Sequence, residues 1–193
     1  LYTRDGRKIL DAISSWWVTL HGHANPRIAA AIARQAQQLE QVIFAGFTHQ
    51  PAQELAQRLR KWVPESLTHM FFSDDGSTSV EVALKIAIQH FSNLSQPQKR
   101  EIVALEHGYH GDTAGAMSVS DESPFTEPFN SMRFPVHRVH SAYCYRCPVG
   151  KKRESCSIEC IQQLEALLQQ RGEQIAAVIV EPLLQAAGGM ILH

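Results

Sequence analysis

His69-Met70-Phe71-Phe72-Ser73-Asp74-Asp75-Gly76-Ser77-Thr78-Ser79-Val80-Glu81-Val82-Ala83-Leu84-Lys85 is the stretch from which the fold is read. It opens with a short apolar run over His69–Ser73, as a strand would. It then turns through polar residues into a helix that carries Val80, Ala83, Leu84, Ala87, Ile88 and Phe91 on one face. Thr78 and Glu81 stand three apart, the spacing of a capping box, so the helix is expected to begin at Gly76-Ser77-Thr78. The first amides of a helix lack intrahelical acceptors and lie at the positive end of its dipole, which suits a phosphate. Gly76 removes a side chain that would block close approach, and Ser77 and Thr78 add hydroxyls. The same residues equally describe an ordinary capped helix after a turn. A P-loop is excluded, because no Gly-Lys-Ser/Thr follows at the required spacing.

Outward from this stretch, strands and helices alternate. Toward the N-terminus, Tyr2 to Asp11 reads as a hairpin with Asp5-Gly6 as a two-residue turn. Asn25-Pro26 reads as an N-cap and first helical position, followed by Ile28, Ile32, Leu39 and Ile43 at helical spacing. A second helix starts near Pro51, carries Leu55, Leu59, Trp62 and Val63, and stops at Pro64. Toward the C-terminus, Glu101 to Leu105 is a strand and Ala116 to Val119 a further short one. Ser120 to Ser155 reads as irregular loop. Ile161, Leu164, Leu167 and Leu168 mark a helix ended by Gly172, and Ala176 to Val180 a strand buried on both faces. This β-α-β alternation predicts an α/β fold, a mostly parallel sheet flanked by helices.

Ligands of open parallel sheets bind beyond the carboxyl ends of the strands. Three polar clusters fall there: Ser73 to Thr78, Glu106 to Asp112, and Glu181-Pro182 with Gln185. In the second, Tyr109 lies between two glycine-containing turns with Asp112 three residues on. Its ring is placed to stack on a flat cofactor, or to serve as a core tyrosine. His107 and His110 have no helix to make their spacing a metal pair. Glu181 ends a buried strand, so a structural arginine holds it or it faces the site. The doublet Trp16-Trp17 is expected in an extended segment, one ring packing and the other lining a surface or cleft.

All four cysteines, Cys144, Cys147, Cys156 and Cys160, fall in one loop with near-zinc spacing. Pro148 and Lys151-Lys152-Arg153 describe a surface loop that equally carries reduced thiols, and no metal is assigned. The 18 basic and 19 acidic side chains leave a net charge of -1, with no basic stripe to attract nucleic acid. No apolar run reaches the ~20 residues of a membrane span, and no signal peptide opens the chain, so a cytoplasmic location is expected. The chain opens at Leu1 and stops within the run Gly188-Gly189-Met190-Ile191-Leu192-His193, and is expected to be part of a longer polypeptide.

Several runs together carry a resemblance: Ser14 to Trp17, His21 to Pro26, Phe44 to His49, Asp75 to Lys85, His107 to Thr113 and Val180-Glu181-Pro182. In this order they resemble the class III aminotransferases over nearly the whole chain. The tryptophan doublet resembles the biotin-pathway branch, which moves an amino group from S-adenosylmethionine to 8-amino-7-oxononanoate to give 7,8-diaminononanoate. The resemblance implies a fold-type I transferase, incomplete here, using pyridoxal 5'-phosphate and working as a homodimer; the charge balance calls for no nucleic-acid or membrane partner. Residues 1–45 would belong to a small domain and residues 46–193 to the first part of the large cofactor domain. Carried over position by position, Gly76, Ser77 and Thr78 bind the cofactor phosphate, and Tyr109 lies against the cofactor ring and touches substrate. Trp16, Trp17 and Asp112 belong to the substrate pocket. The Schiff-base lysine and the aspartate facing the pyridine nitrogen are expected beyond Gly189, so none of these residues is assigned as catalytic and the 193 residues alone are not expected to transaminate. The family's Gln-Gly after Glu-Pro reads Gln185-Ala186 here. Two other readings stay open. One is an ornithine, γ-aminobutyrate or ω-amino acid aminotransferase; the other is a non-enzymatic, zinc-stapled phosphate-binding domain.

Overall fold

A computed structural model describes residues 1–185 and 190–191. Residues 186–189, 192 and 193 lie outside it, and with them the expected Gln185-Ala186 pair and most of the closing apolar run. The contacts divide the chain into two compact units, Leu1–Met70 and Phe71–His193.

The first unit opens with the expected hairpin, Tyr2 bridging Lys8 antiparallel. Its turn is one residue longer than expected. Gly6 N donates to Thr3 O and Thr3 N donates to Arg7 O, both at 2.9 Å, and only Gly6 takes a positive φ, +85°. This is a three-residue loop closed by a left-handed glycine. A single turn, α1 (Ser14–Trp17), follows. Helix α2 (Pro26–Gln38) has the expected cap, with Asn25 Oδ1 accepting from the amides of Arg27 (3.0 Å) and Ile28 (3.4 Å). It ends before Ile43 because Leu39 is already extended. Helix α3 (Gln50–Leu59) is capped by His49 and stops short of Trp62 and Val63. The apolar stripes of both helices stay exposed within this unit. His69–Ser73 forms no strand, since no described strand offers it a ladder partner.

The second unit is a parallel α/β layer. Strand β1 (Glu101–Leu105) lies between β2 (His137–Val139) and β3 (Ile175–Ile179), both parallel to it. Alternation along β1 feeds two cores. Ile102 and Ala104 pack with Leu84 of α4 (Gly76–Asn93) and Val119 of α5 (Ala114–Val119). Val103 packs with Val139 and Ile175 over Leu164 and Leu167 of α6 (Gln162–Arg171). Helix α6 stops where Gly172 was expected to stop it, and Lys99 Nζ donates to the freed Gly172 carbonyl at 2.9 Å. A short antiparallel pair, β4 (Leu184–Gln185) and β5 (Met190–Ile191), follows β3.

Three further expectations are corrected here. Ala116–Val119 belongs to a buried helix, not a strand; both sides of β1 are taken by β2 and β3, and a short apolar run does not by itself choose between the two states. His137–Val139, read as loop, is a strand because β1 supplies its ladder. Strand β3 is not buried on both faces, since it ends the described three-strand order and Val178 is exposed.

Candidate active site

Helix α4 begins where the sequence places it, though the cap differs. Asp75, not Thr78, is the N-cap: its Oδ1 accepts from Thr78 N at 2.8 Å, and Asp75 N donates to Thr78 Oγ1 at 3.1 Å. The box closes one turn earlier than expected because a carboxylate reaches the N3 amide as well as a hydroxyl does. Thr78 thus spends its amide on the cap, and its hydroxyl accepts from Ser73 Oγ at 2.8 Å. The helix tip is left to Gly76 and Ser77, whose amides have no intrahelical acceptor. A Cβ built on Gly76 meets nothing within 4 Å, so the tip is open to a ligand.

The loop from Glu106 to Thr113 leaves the carboxyl end of β1 and crosses this tip, held by its amides. Asp121 Oδ2 accepts from His107 N (2.6 Å), Glu181 Oε2 from Tyr109 N (2.8 Å), Ser120 Oγ from His110 N (2.8 Å) and Ser77 Oγ from Asp112 N (3.1 Å). Glu181 thus holds the backbone of this loop through the Tyr109 amide. Because Ser77 Oγ accepts from Asp112, its own hydrogen remains to donate. Gly111 makes the crossing possible. Its φ is +128°, and an added Cβ would sit 2.7 Å from Ser77 Cβ and 2.8 Å from Ser77 Cα.

Tyr109 Oη donates to Asp112 Oδ2 at 2.7 Å. That hydrogen bond, with burial and the Asp112 charge, pushes the phenol up to about 12. The phenol is therefore a neutral donor across the physiological range. Tyr109 is 40% exposed, so part of the residue remains accessible to a ligand. Burial pushes the His110 imidazole below its ordinary value despite the opposing pull of Glu181. His107 turns its ring edge to Tyr143, centroids 5.8 Å apart. No group of three or more His, Cys, Asp or Glu side chains able to hold a metal occurs among the described residues. All four cysteines are free thiols; burial, then the charges of the other three, pushes the Cys160 thiol up.

Trp16 and Trp17 belong to the first unit and are not in an extended segment. Ser14, Ser15, Trp16 and Trp17 all have positive φ, from +47° to +75°, a left-handed turn. Such a turn costs L-residues about 1–2 kcal/mol each. Both indoles are exposed, so neither packs inside its unit. Ser15 Oγ and His23 Nε2 each lie 2.7 Å from Asp11 Oδ2, bracing the turn.

The residue that motif reading passed over is Glu81. Taken as the far half of a capping box, it instead turns to α5, where its Oε1 accepts from Gly115 N at 2.6 Å and Ala116 N at 3.3 Å. No local pattern signals this role, because Gly115 and Ala116 lie 34 and 35 residues further along the chain.

The class-III aminotransferase family model matches residues 1–193. Among relatives, the adenosylmethionine-8-amino-7-oxononanoate aminotransferase of Synechococcus elongatus is 51% identical over 187 residues, covering 96% of this chain and 43% of that protein. That of Geobacter sulfurreducens is 37% identical, covering 98% and 42%. The chain thus spans less than half the length of these relatives. Among solved structures, the enzyme of that name from Methanocaldococcus jannaschii superposes with a TM-score of 0.85 at 31% identity, over 99% of this chain and 41% of that one. A PLP-bound amine transaminase from an uncultivated Pseudomonas species gives 0.86 at 31%, over 99% and 44%. With its whole length inside the family model and its parallel sheet shared with these transaminases, the chain belongs to the class-III aminotransferases.

Proposed function

We propose that the protein containing this chain transfers an amino group from S-adenosylmethionine to 8-amino-7-oxononanoate, giving 7,8-diaminononanoate in biotin synthesis, with pyridoxal 5'-phosphate as cofactor. The observation that carries the reading is the open tip of α4 lying under the Tyr109 loop, supported by relatives of that name at 51% and 37% identity. The residues fit the cofactor. The Gly76 and Ser77 amides and the Ser77 hydroxyl are donors aimed where a phosphate dianion gains most from a helix dipole. Thr78 builds that turn from within. When bound, the cofactor supplies the electron sink for amino transfer.

The chain's own residues then orient and exclude. The Tyr109 ring would lie against the cofactor ring and touch substrate. Asp112 accepts the hydrogen bond of the phenol and fixes the ring. Glu181 fixes the backbone from which the ring projects. Trp16 and Trp17 are assigned to the substrate pocket as large exposed aromatic surfaces able to cover an extended, partly apolar acid. The same reading makes residues 1–45 part of a small domain and residues 46–193 the start of the cofactor domain. It makes the protein a cytoplasmic homodimer acting on small molecules. No helix among the described residues is long and apolar enough to cross a membrane.

The test is to express the full-length protein, load it with pyridoxal phosphate, and follow 7,8-diaminononanoate formation with S-adenosylmethionine, ornithine, γ-aminobutyrate and an ω-amino acid as donors. Product with S-adenosylmethionine alone is expected. Product only with another donor moves the protein to a different branch of the family, and a protein that takes up no cofactor refutes the reading.

A further inference from the structure

Ser77 and Glu81 lie one helical turn apart on α4, and Gly111 and Gly115 lie four residues apart at and just after the Tyr109 loop. The two pairs meet as rungs. On the first rung, Gly111 presses on Ser77 while Asp112 N donates to Ser77 Oγ at 3.1 Å. On the second, Gly115 N and Ala116 N donate to Glu81 Oε1 at 2.6 and 3.3 Å, and a Cβ added to Gly115 would collide with the Glu81 carboxylate, 2.7 Å from its Cδ. Helix α5 has no side-chain cap at Thr113. A carboxylate from α4 takes that place, where the dipole favours it. The helix that offers its tip to phosphate therefore also holds the far end of the loop carrying Tyr109 and Asp112.

We infer that Glu81 is a positioning residue, a carboxylate tether that fixes the Tyr109–Asp112 loop to α4 and so sets the distance between the phosphate site and the substrate side of the pocket. This rests on the proposed assignment of that loop to the pocket. Glu81 touches neither cofactor nor substrate and acts through the α5 amides. Burial pushes its carboxyl up, but the Thr113 hydroxyl, the two amides and the Lys85 charge prevail, holding it below its ordinary value. It is anionic at neutral pH and accepts both bonds as a charged group.

The test uses the full-length protein with Glu81→Ala, Glu81→Gln and Gly115→Ala. The last keeps the carboxylate but pushes it off the amides. Hydrogen exchange over residues 107–116, measured without cofactor or substrate, is expected to quicken about tenfold in Glu81→Ala and Gly115→Ala, the factor that losing a charge-assisted hydrogen bond implies. Exchange in β1 should hold. Glu81→Gln, which keeps an acceptor oxygen, should recover most of the protection. In the loaded enzyme the same two variants should raise KM for the amino donor at least fivefold and leave the pyridoxal phosphate dissociation constant within twofold. Unchanged exchange over 107–116, equal acceleration throughout the second unit, or a loosened loop with unchanged KM would each overturn the tether. Should Glu81→Ala not fold, Gly115→Ala and Glu81→Gln carry the same comparison. A wild type that binds no cofactor would refute the proposed activity, while exchange would still report on the tether.

Discussion

Tyr109 and Asp112 show how one hydrogen bond turns an aromatic residue into an oriented, neutral donor. The Asp112 carboxylate stabilises the protonated phenol and repels the phenolate, so removing its charge must lower the tyrosine titration. Asp112→Asn in the full-length protein is expected to bring Tyr109 down from about 12 toward its ordinary 10.0, read by ultraviolet difference titration against Tyr109→Phe. An unchanged titration would separate the two groups in solution. At this scale the sequence names the pair, because Tyr109 stands between glycines and Asp112 is three residues on. It does not name Glu81 or Asp121 as holders of the loop, since their acceptors' partners lie 34 and 14 residues away. Such long-range pairing leaves no local pattern. The Trp16-Trp17 turn was missed for a different reason: left-handed backbone in four L-residues runs against their intrinsic preference.

Elements were legible where a period or a cap declares them. Helices α2, α4 and α6 and strand β1 follow from apolar spacing and punctuation. Helix α5 and strand β2 did not, because six small or apolar residues and three mixed ones carry no period; their states come from Glu81 and from the β1 ladder. Helix α4 offers the direct test at this scale. Asp75→Ala removes the N-cap acceptor of Thr78 N and is expected to cost about 1 kcal/mol in urea unfolding. Thr78→Ser, which keeps the hydroxyl, should cost less than half as much. Equal losses in both would mean that the methyl group, not the cap, supports the turn.

At the scale of the whole molecule, charge pairs tie the start of the central strand to its neighbour and to α6. Glu101 at the start of β1 accepts from Arg171 of α6 at 2.5 and 2.9 Å and lies 2.7 Å from His137 Nε2 of β2. Arg171 first, then His137, pulls Glu101 down to about 2 from an ordinary 4.5. A carboxyl held below its unfolded value contributes stability that is complete above that value and is lost as pH falls toward the folded one. Denaturation midpoints should therefore fall between about pH 5 and pH 2, and Glu101→Gln should flatten that part of the curve. Parallel slopes in both proteins would remove this pair from the acid response. The order of motifs along the chain announced this architecture, whereas the contacts between them required the folded chain.

The central claim is that the N-terminal tip of α4 receives the cofactor phosphate beneath the Tyr109 loop. The most direct measurement is a crystal structure of the full-length protein with pyridoxal 5'-phosphate. The phosphate is predicted within hydrogen-bonding distance of the Gly76 and Ser77 amides, with the Tyr109 ring against the cofactor. A phosphate seated elsewhere, or a tip closed by side chains with the cofactor bound at another place, would contradict the account.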